Sequence, residues 1–161
     1  TAGLVIAGPY LPRLLQVLEL TDGQVFRDEA AAARAVLLLE YVATGETETP
    51  EPLLALHKLL CGLPLEAPVA RRFEPTAAER SAVEGMLQAL IAHWKIIGKT
   101  SVAGLRSSFL QREGRLEDRG DRGWLLQVQS RSFDMLLDQL PWSYTPLKFP
   151  WMAEVLHVEW R

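Results

Sequence analysis

The stretch EAAAARAVLLLEYVATG, residues 29–45, decides the fold of this chain. Asp28 precedes it and can accept a hydrogen bond from the first turn of a helix, and Gly45 can take the left-handed conformation that often ends one. Between them the sequence is apolar almost all round, and Arg34 and Glu40 are the main interruptions. A helix of this kind must be covered on every side, so we predict that it lies at the centre of the core.

Further helices are predicted on both sides of this segment. Thr76 and Glu79 form a capping-box pattern, which predicts the start of a long helix. The apolar residues after it keep helical spacing: Val83, Met86, Leu87, Leu90, Ile91 and Trp94. Shorter helices are expected at three other places: from Leu11 onward with Pro12 in the first turn, at residues 52–60, and after Ser101.

The pattern changes at Gly114. GRLEDRGDRGWLLQVQ, residues 114–129, indicates a β-hairpin with Gly120 or Gly123 in its turn, because the residues that follow alternate between apolar and polar. A short helix is predicted between Ser132 and Pro141. Two later segments, YTPLKF (144–149) and VLHVEW (155–160), alternate like strands, with Pro146 confining the first to a sheet edge.

Together these patterns predict an α+β fold in one globular domain, residues 1–161. Its mainly helical body covers about residues 3–111. A small antiparallel β-sheet, with the hairpin, the short helix and the C-terminal strands, covers about residues 114–160.

Composition sets limits on the function. The chain has 161 residues, 48% of them hydrophobic, which suits a single soluble domain that needs no metal or disulfide to fold. A net charge of −3 gives no electrostatic footprint for nucleic acid. No signal peptide or membrane-spanning run is visible. Because the first residue is Thr1 rather than Met, we expect a fragment or processed piece of a longer chain.

The segment LHKLLCGLPLEAPV, residues 56–69, contains the one cysteine. On a helix His57 and Cys61 are four residues apart and can touch, which is the minimum for a cysteine nucleophile and its base. The surrounding leucines would instead raise the pKa of the thiol, which favours a buried structural corner formed by Cys61, Gly62 and Pro64. A Cys- or metal-dependent enzyme remains the alternative. The histidines lack metal-site spacing, so no metal or cofactor is predicted.

Charged residues are concentrated in and around the hairpin. Arginines and acidic residues match one another in number there, which indicates a solvated hairpin with weak surface ion pairs: Arg112, Arg115, Arg119 and Arg122 with Glu113, Glu117, Asp118 and Asp121. Arg71 and Arg72 form a small basic spot, which is interpreted as solvated or as a contact for an acidic partner.

Aromatic residues are concentrated in the last part of the chain. Such residues usually fill a core, but Trp and Tyr also dominate many interfaces. The segment LPWSYTPLKFPWM is held by three prolines and is the candidate interface, through Trp142, Tyr144, Phe149 and Trp151. Core packing and partner binding both remain open for these residues.

Five blocks carry a resemblance to a known family: AVLLLEYVATGE, LHKLLCGLPLEAPV, LIAHWKIIGKTSVAGLRSSFLQREGRL, FDMLLDQLPW and FPWMAEVLHVEW. They occur in order from about Gly3 to Trp160. In these blocks the chain resembles the C-terminal domain of the contractile injection system tape measure proteins, which belong to phage-tail-like particles.

The resemblance implies a non-enzymatic, structural role with tube, baseplate or cap proteins as partners. It implies a location in the bacterial cytoplasm during assembly or in the assembled particle. Tape measures set length through an extended helical region, and these residues contain none. An anchoring, recruiting or assembly role is therefore expected. An alternative is an assembly factor that stays in the producing cell and engages a particle-associated ATPase.

Overall fold

The computed structural model describes residues 1–161 and shows an α+β fold, as predicted. The α-helices are α1 (Leu11–Val17), α2 (Glu29–Thr44), α3 (Ala55–Leu60), α4 (Ala77–His93) and α5 (Val102–Leu105). The 3₁₀ segments are Ala2–Tyr10, Glu51–Leu54, Lys95–Ile97, Gly120–Arg122 and Asp134–Gln139, and a π-helical turn covers Arg106–Leu110. The strands are β1 (Gly114–Asp118), β2 (Trp124–Val128) and β3 (Leu156–Glu159).

Helix α2 lies in the core, as its apolar circumference predicts. The side chain of Asp28 accepts a hydrogen bond from the Ala31 amide at 2.7 Å, and Gly45 ends the helix in the left-handed conformation with φ of 74°. Val36, Leu38 and most of the other side chains along the helix are buried. The helix packs against α3, the N-terminal 3₁₀ helix and the π-helical turn, so it is covered on several sides.

Helix α4 begins with the predicted capping box. The Thr76 hydroxyl accepts from the Glu79 amide at 3.1 Å, and the Glu79 carboxylate accepts from the Thr76 amide at 2.8 Å. Arg34 of α2 donates through Nε to the same carboxylate at 2.8 Å. Arg34, one of the two charged residues in the otherwise apolar α2, therefore joins α2 to α4, the two longest helices.

The N-terminal residues form a buried element that the sequence pattern does not predict. The 3₁₀ helix Ala2–Tyr10 places Leu4, Val5 and Ile6 in the core with no exposed surface. A Cβ on Gly3 would lie 1.6 Å from the Phe109 carbonyl oxygen, so only glycine allows this close approach. The segment therefore lies between other elements, among them α2 and the π-helical turn, and its conformation depends on its packing against them.

The three strands form one sheet in the order β1-β2-β3. The hairpin of β1 and β2 is antiparallel, as predicted, and both Gly120 and Gly123 have positive φ in its turn. The prediction of an antiparallel sheet is wrong for the third strand, because β3 runs parallel to β2. The long connection between β2 and β3 is sufficient for the crossover that a parallel pair requires.

Two predicted elements differ in type. YTPLKF is not a strand: only Leu147 pairs with Leu156, through hydrogen bonds of 2.8 and 2.9 Å, beside β3. Pro146 has no amide hydrogen to extend that pairing. The short helix before Pro141 is present at Asp134–Gln139, but it is a 3₁₀ helix.

Candidate functional site

Cys61 lies at the C-terminal end of α3, and only 2% of its surface is exposed. Burial among apolar neighbours raises the pKa of its thiol well above the usual value. A nucleophilic cysteine needs the thiolate, which this environment opposes. The environment therefore favours the structural interpretation of Cys61.

His57 pairs with Glu40 rather than serving Cys61 as a base. Its Nε2 lies 2.8 Å from the Glu40 carboxylate and 3.2 Å from the Thr1 hydroxyl, whereas Nδ1 is buried without a partner. Burial would raise the pKa of Glu40, but hydrogen bonds from His57 and Thr1 and attraction to His57 hold that pKa below its usual value. Both polar partners contact the same ring nitrogen, so the ring does not connect an acid to a nucleophile.

The loop after Cys61 is fixed by the C-terminal part of the chain. Gly62 has φ of 70°, and a Cβ at this position would lie 2.3 Å from the Trp151 carbonyl oxygen. The Trp151 indole donates to the Leu60 carbonyl at 2.8 Å. Pro64 is exposed, and its carbonyl accepts from the Ala67 amide in the next turn. Residues 60–64 thus form a tight corner against Trp151.

We predict that a thiol reagent modifies Cys61 slowly in the native protein and quickly only after denaturant is added, because the thiol is buried and protonated. Cys61→Ala should cost about 1–2 kcal/mol of unfolding free energy, and Cys61→Asp considerably more, since an unpaired buried charge is costly. The labelling rate and denaturant unfolding measure these effects. Rapid stoichiometric labelling of the folded protein at neutral pH would contradict them.

Arg112 is buried, so the prediction that it belongs to a solvated hairpin is wrong. It is 1% exposed and makes a two-pronged ion pair with Asp134 of 2.9 and 2.6 Å. It also donates to the carbonyls of Ser108 and Gln129. The sequence suggests Glu113, the next residue, as a partner for Arg112. The observed partner, Asp134, is 22 residues away, so no local sequence pattern could identify it.

The Arg112–Asp134 pair is enclosed by aromatic rings. The guanidinium carbon lies 5.3 to 5.6 Å from the ring centres of Phe109, Phe133 and Trp160. Burial would raise the pKa of Asp134, but hydrogen bonds from Arg112, from the Arg131 amide and from the Trp160 indole, together with the charge of Arg112, hold it below its usual value. This pair joins the hairpin to the 3₁₀ helix Asp134–Gln139.

The candidate interface aromatics are anchored on their own chain. The Trp142 indole donates to the Ile6 carbonyl at 2.8 Å, and Tyr144 packs edge-on against Trp160. Phe149 is buried, and half-buried Trp151 contacts it. Four residues of the segment 142–151 are more exposed than its rings: Ser143, Pro146, Lys148 and Pro150. The segment therefore combines buried anchors with an accessible outer side.

The basic spot is exposed but partly neutralised. Arg71 lies 3.1 Å from Glu48, and the side chains of this pair are 78% and 50% exposed. Arg72 is exposed and makes no side-chain ion pair. No hydrogen bond or ion pair connects the two arginines to the aromatic segment 142–151.

One surface groove lies beside the His57–Glu40 pair. This groove, of about 500 Å³, is lined by Glu40, His57 and Glu113 together with apolar residues. No three His, Cys, Asp or Glu residues lie close enough together to hold a metal ion. No helix is both long and apolar enough to span a bilayer.

A family model described as contractile injection system tape measure protein matches residues 1–160. The chain belongs to this family. Neither a curated protein nor a solved structure matches it. Membership in the tape measure protein family links this domain to phage-tail-like contractile injection systems and implies other particle proteins as partners.

Proposed function

We propose that this tape measure protein domain is a non-enzymatic structural and assembly unit that anchors or recruits tube, baseplate or cap components. The observation that carries the proposal is the family match, which extends over residues 1–160. The chemistry agrees with it, because the one thiol is buried and the buried histidine is paired with Glu40.

The dimensions of the helices argue against a length-setting role for these residues. The longest helix, α4, has 17 residues, which corresponds to about 25 Å at 1.5 Å per residue. A ruler for a tube needs a much longer extended element. The domain is therefore better suited to holding one place in an assembly than to spanning it.

Ion pairs between elements, several of them buried, support a rigid body as the unit of assembly. Arg34 pairs with Glu79, His57 with Glu40 and Arg112 with Asp134. Lys58, with 3% exposure, donates to Glu51 and to the Leu65 carbonyl. Each pair joins separate elements, so the domain can present a surface without reorganising.

The proposed docking surface is the aromatic segment, residues 142–151, through the half-buried rings of Trp142, Tyr144 and Trp151, which the buried Phe149 supports from beneath. Prolines 141, 146 and 150 restrict its backbone, and the two indoles anchor it to Ile6 and Leu60. A surface that is already ordered loses little entropy when a partner binds. The exposed Arg71 and Arg72 form a second candidate contact, which suits an acidic partner.

We predict that Tyr144→Ala weakens capture of the partner by about 2 kcal/mol or more, which is the effect of a hot-spot residue. Its ring is half-buried against Trp160, and no hydrogen bond ties its hydroxyl to the chain, so the melting temperature should fall by only a few degrees. Trp151→Ala should weaken capture to a similar extent. Capture by purified tube, baseplate and cap proteins measures binding, and a thermal melt measures folding.

Tyr41→Ala is the matched control, because Tyr41 is also a half-buried tyrosine that packs on one aromatic ring, Phe73. It should leave capture unchanged. Unchanged capture by Tyr144→Ala and Trp151→Ala, or a large loss of melting temperature in both, would remove these residues from the proposed surface.

The function is tested by locating the domain after affinity purification from cells that produce the particles. The proposal expects it in purified particles, together with tube, baseplate or cap proteins. Recovery only from the lysate, together with a particle-associated ATPase, would instead support an assembly factor retained in the producing cell.

A further inference from the structure

Strand β1 leaves one edge of the sheet free. The Gln129 amide donates to the Glu113 carbonyl, and the Arg119 amide donates to the Gly123 carbonyl. In an antiparallel pair these bonds alternate along the strand, so the amides and carbonyls of Gly114, Leu116 and Asp118 point away from β2. The only backbone hydrogen bond from outside the sheet to this edge is the one that the Ala2 amide donates to the Arg112 carbonyl, just before the strand. The Ala2 side chain lies beside Gly114, where an added Cβ would be 2.5 Å from the Ala2 Cβ.

The opposite edge of the sheet is already covered. Leu147 exchanges two backbone hydrogen bonds with Leu156 of β3, and the Thr145 hydroxyl accepts from the Val158 amide. An open strand edge is a ready template for pairing with another strand. The edge of β1 is thus the place where the sheet can be extended.

The charges along β1 are complementary to those of an antiparallel second copy of the strand. Glu113, Arg115, Glu117 and Arg119 share one face of the strand and alternate in sign. When two such strands run antiparallel and centre on Leu116, Arg115 lies opposite Glu117 of the second copy. Glu113 then lies opposite Arg119 of the second copy, so all four positions on each strand meet an opposite charge.

The same pattern disfavours the neighbouring registers. A shift of two residues places Arg115 opposite Arg115 or Glu117 opposite Glu117, and like charges directly opposite are destabilising. Charged side chains on a strand edge commonly oppose edge-to-edge pairing. In the register centred on Leu116, however, each of these charges lies opposite a charge of the other sign, which is favourable. Within the chain neither Glu113 nor Arg115 has an ion pair, and Glu117 and Arg119 are 3.6 Å apart.

We propose that two copies of this chain associate through the free edge of β1, antiparallel and centred on Leu116, to form a continuous six-stranded sheet. Leu116, which is half-buried beside Leu126, would exchange two backbone hydrogen bonds with Leu116 of the second copy. The Arg115–Glu117 pairs would occupy the closer, non-hydrogen-bonded positions on either side. This inference goes beyond the proposed function and does not depend on it.

Sedimentation velocity of the purified chain at micromolar and submillimolar concentrations tests the proposal. The chain should approach dimer as its concentration rises. Arg115→Glu and Glu117→Arg should each weaken dimerisation by about tenfold or more, because each creates two like-charge pairs. Mixing the two variants should restore association as a heterodimer, since the reversed charges then lie opposite one another.

Two further variants complete the test. Arg122→Glu, an exposed turn residue outside the strand with the same charge change, should leave dimerisation unchanged. The double reversal Arg115→Glu/Glu117→Arg exchanges the two charges, so opposite charges still face each other, and it should dimerise like the unmodified chain. It also keeps the proposal testable if one of the single variants fails to fold. A chain that stays monomeric throughout, or single variants that are not rescued by mixing or by the double reversal, would overturn the proposal.

Discussion

Asp134→Ala is expected to lower the free energy of unfolding by about 3–5 kcal/mol, because it leaves a buried guanidinium without its counter-charge. The side chains of Arg112 and Asp134 are 0% and 3% exposed, so the guanidinium would be left away from bulk solvent without a counter-charge. The substitution also removes acceptors for the Arg131 amide and the Trp160 indole. Urea unfolding followed by circular dichroism measures the change.

Asp138→Ala is the matched control. Its carboxylate is 62% exposed and lies 3.4 Å from Arg161, so its loss should cost less than about 1 kcal/mol. Replacing both buried partners, with Arg112→Met and Asp134→Leu together, should recover much of the lost stability. If Asp134→Ala and Asp138→Ala lower the free energy of unfolding equally, the buried pair contributes no more to stability than the exposed one, which would contradict this prediction.

The same pair gives a pH dependence with a defined sign. The folded state lowers the pKa of Asp134, so its contribution is complete above the pKa of the unfolded chain. That contribution is lost as the pH falls through the folded pKa. Asp134→Asn should therefore lose less stability on acidification than the unmodified chain, and a parallel pH profile for both would contradict this.

Trp94→Ala is expected to cost about 3–5 kcal/mol through the cavity it leaves. Trp94 has no exposed surface, its ring centre lies 4.7 Å from that of Phe109, and its indole donates to the Leu136 carbonyl. It therefore connects the end of α4 to the 3₁₀ helix Asp134–Gln139. The free energy of unfolding in urea is again the measurement.

Trp94→Phe separates the two contributions, because it keeps most of the apolar volume but leaves the Leu136 carbonyl without its donor. It should cost clearly less than Trp94→Ala. Ile96→Ala, two residues away and 51% exposed, should stay within about 0.5 kcal/mol of the unmodified chain. A small loss for Trp94→Ala would mean that the surrounding core collapses to fill the space.

The parts of the fold that could be predicted from the sequence depend on neighbours in the chain. The caps at Asp28 and Thr76 bond amides three residues away, and the hairpin turn places its glycines between adjoining strands. All the residues that form such a cap or turn lie within a few positions of one another in the sequence. Helix α2 could be placed in the core for a related reason, because its apolar circumference needs burial whatever covers it.

The parts that could not be predicted depend on distant contacts. Strand β3 alternates correctly, but its direction is decided by the connection from β2, which the alternation does not encode. The N-terminal 3₁₀ helix lacks a helical pattern because it is enclosed on all sides, with Gly3 against Phe109. Local information does not contain these arrangements.

The candidate site shows the same division. The leucines around Cys61 indicated its burial correctly, since they are close in sequence. Arg112 was misinterpreted because acidic residues beside it in sequence resemble partners, whereas Asp134 holds it in space. Glu40 and His57 each stand out in the sequence, but their pairing at 2.8 Å joins α2 to α3 and depends on the three-dimensional fold.

The structural and assembly role of this tape measure protein domain can be tested in cells that produce the particles. The coding sequence for residues 1–161 is deleted, and the particles are examined by electron microscopy. A strain carrying Asp138→Ala, which keeps the fold, is the control. Particles should be absent or disordered after the deletion and normal in the control. Normal particles of normal length after the deletion would contradict it.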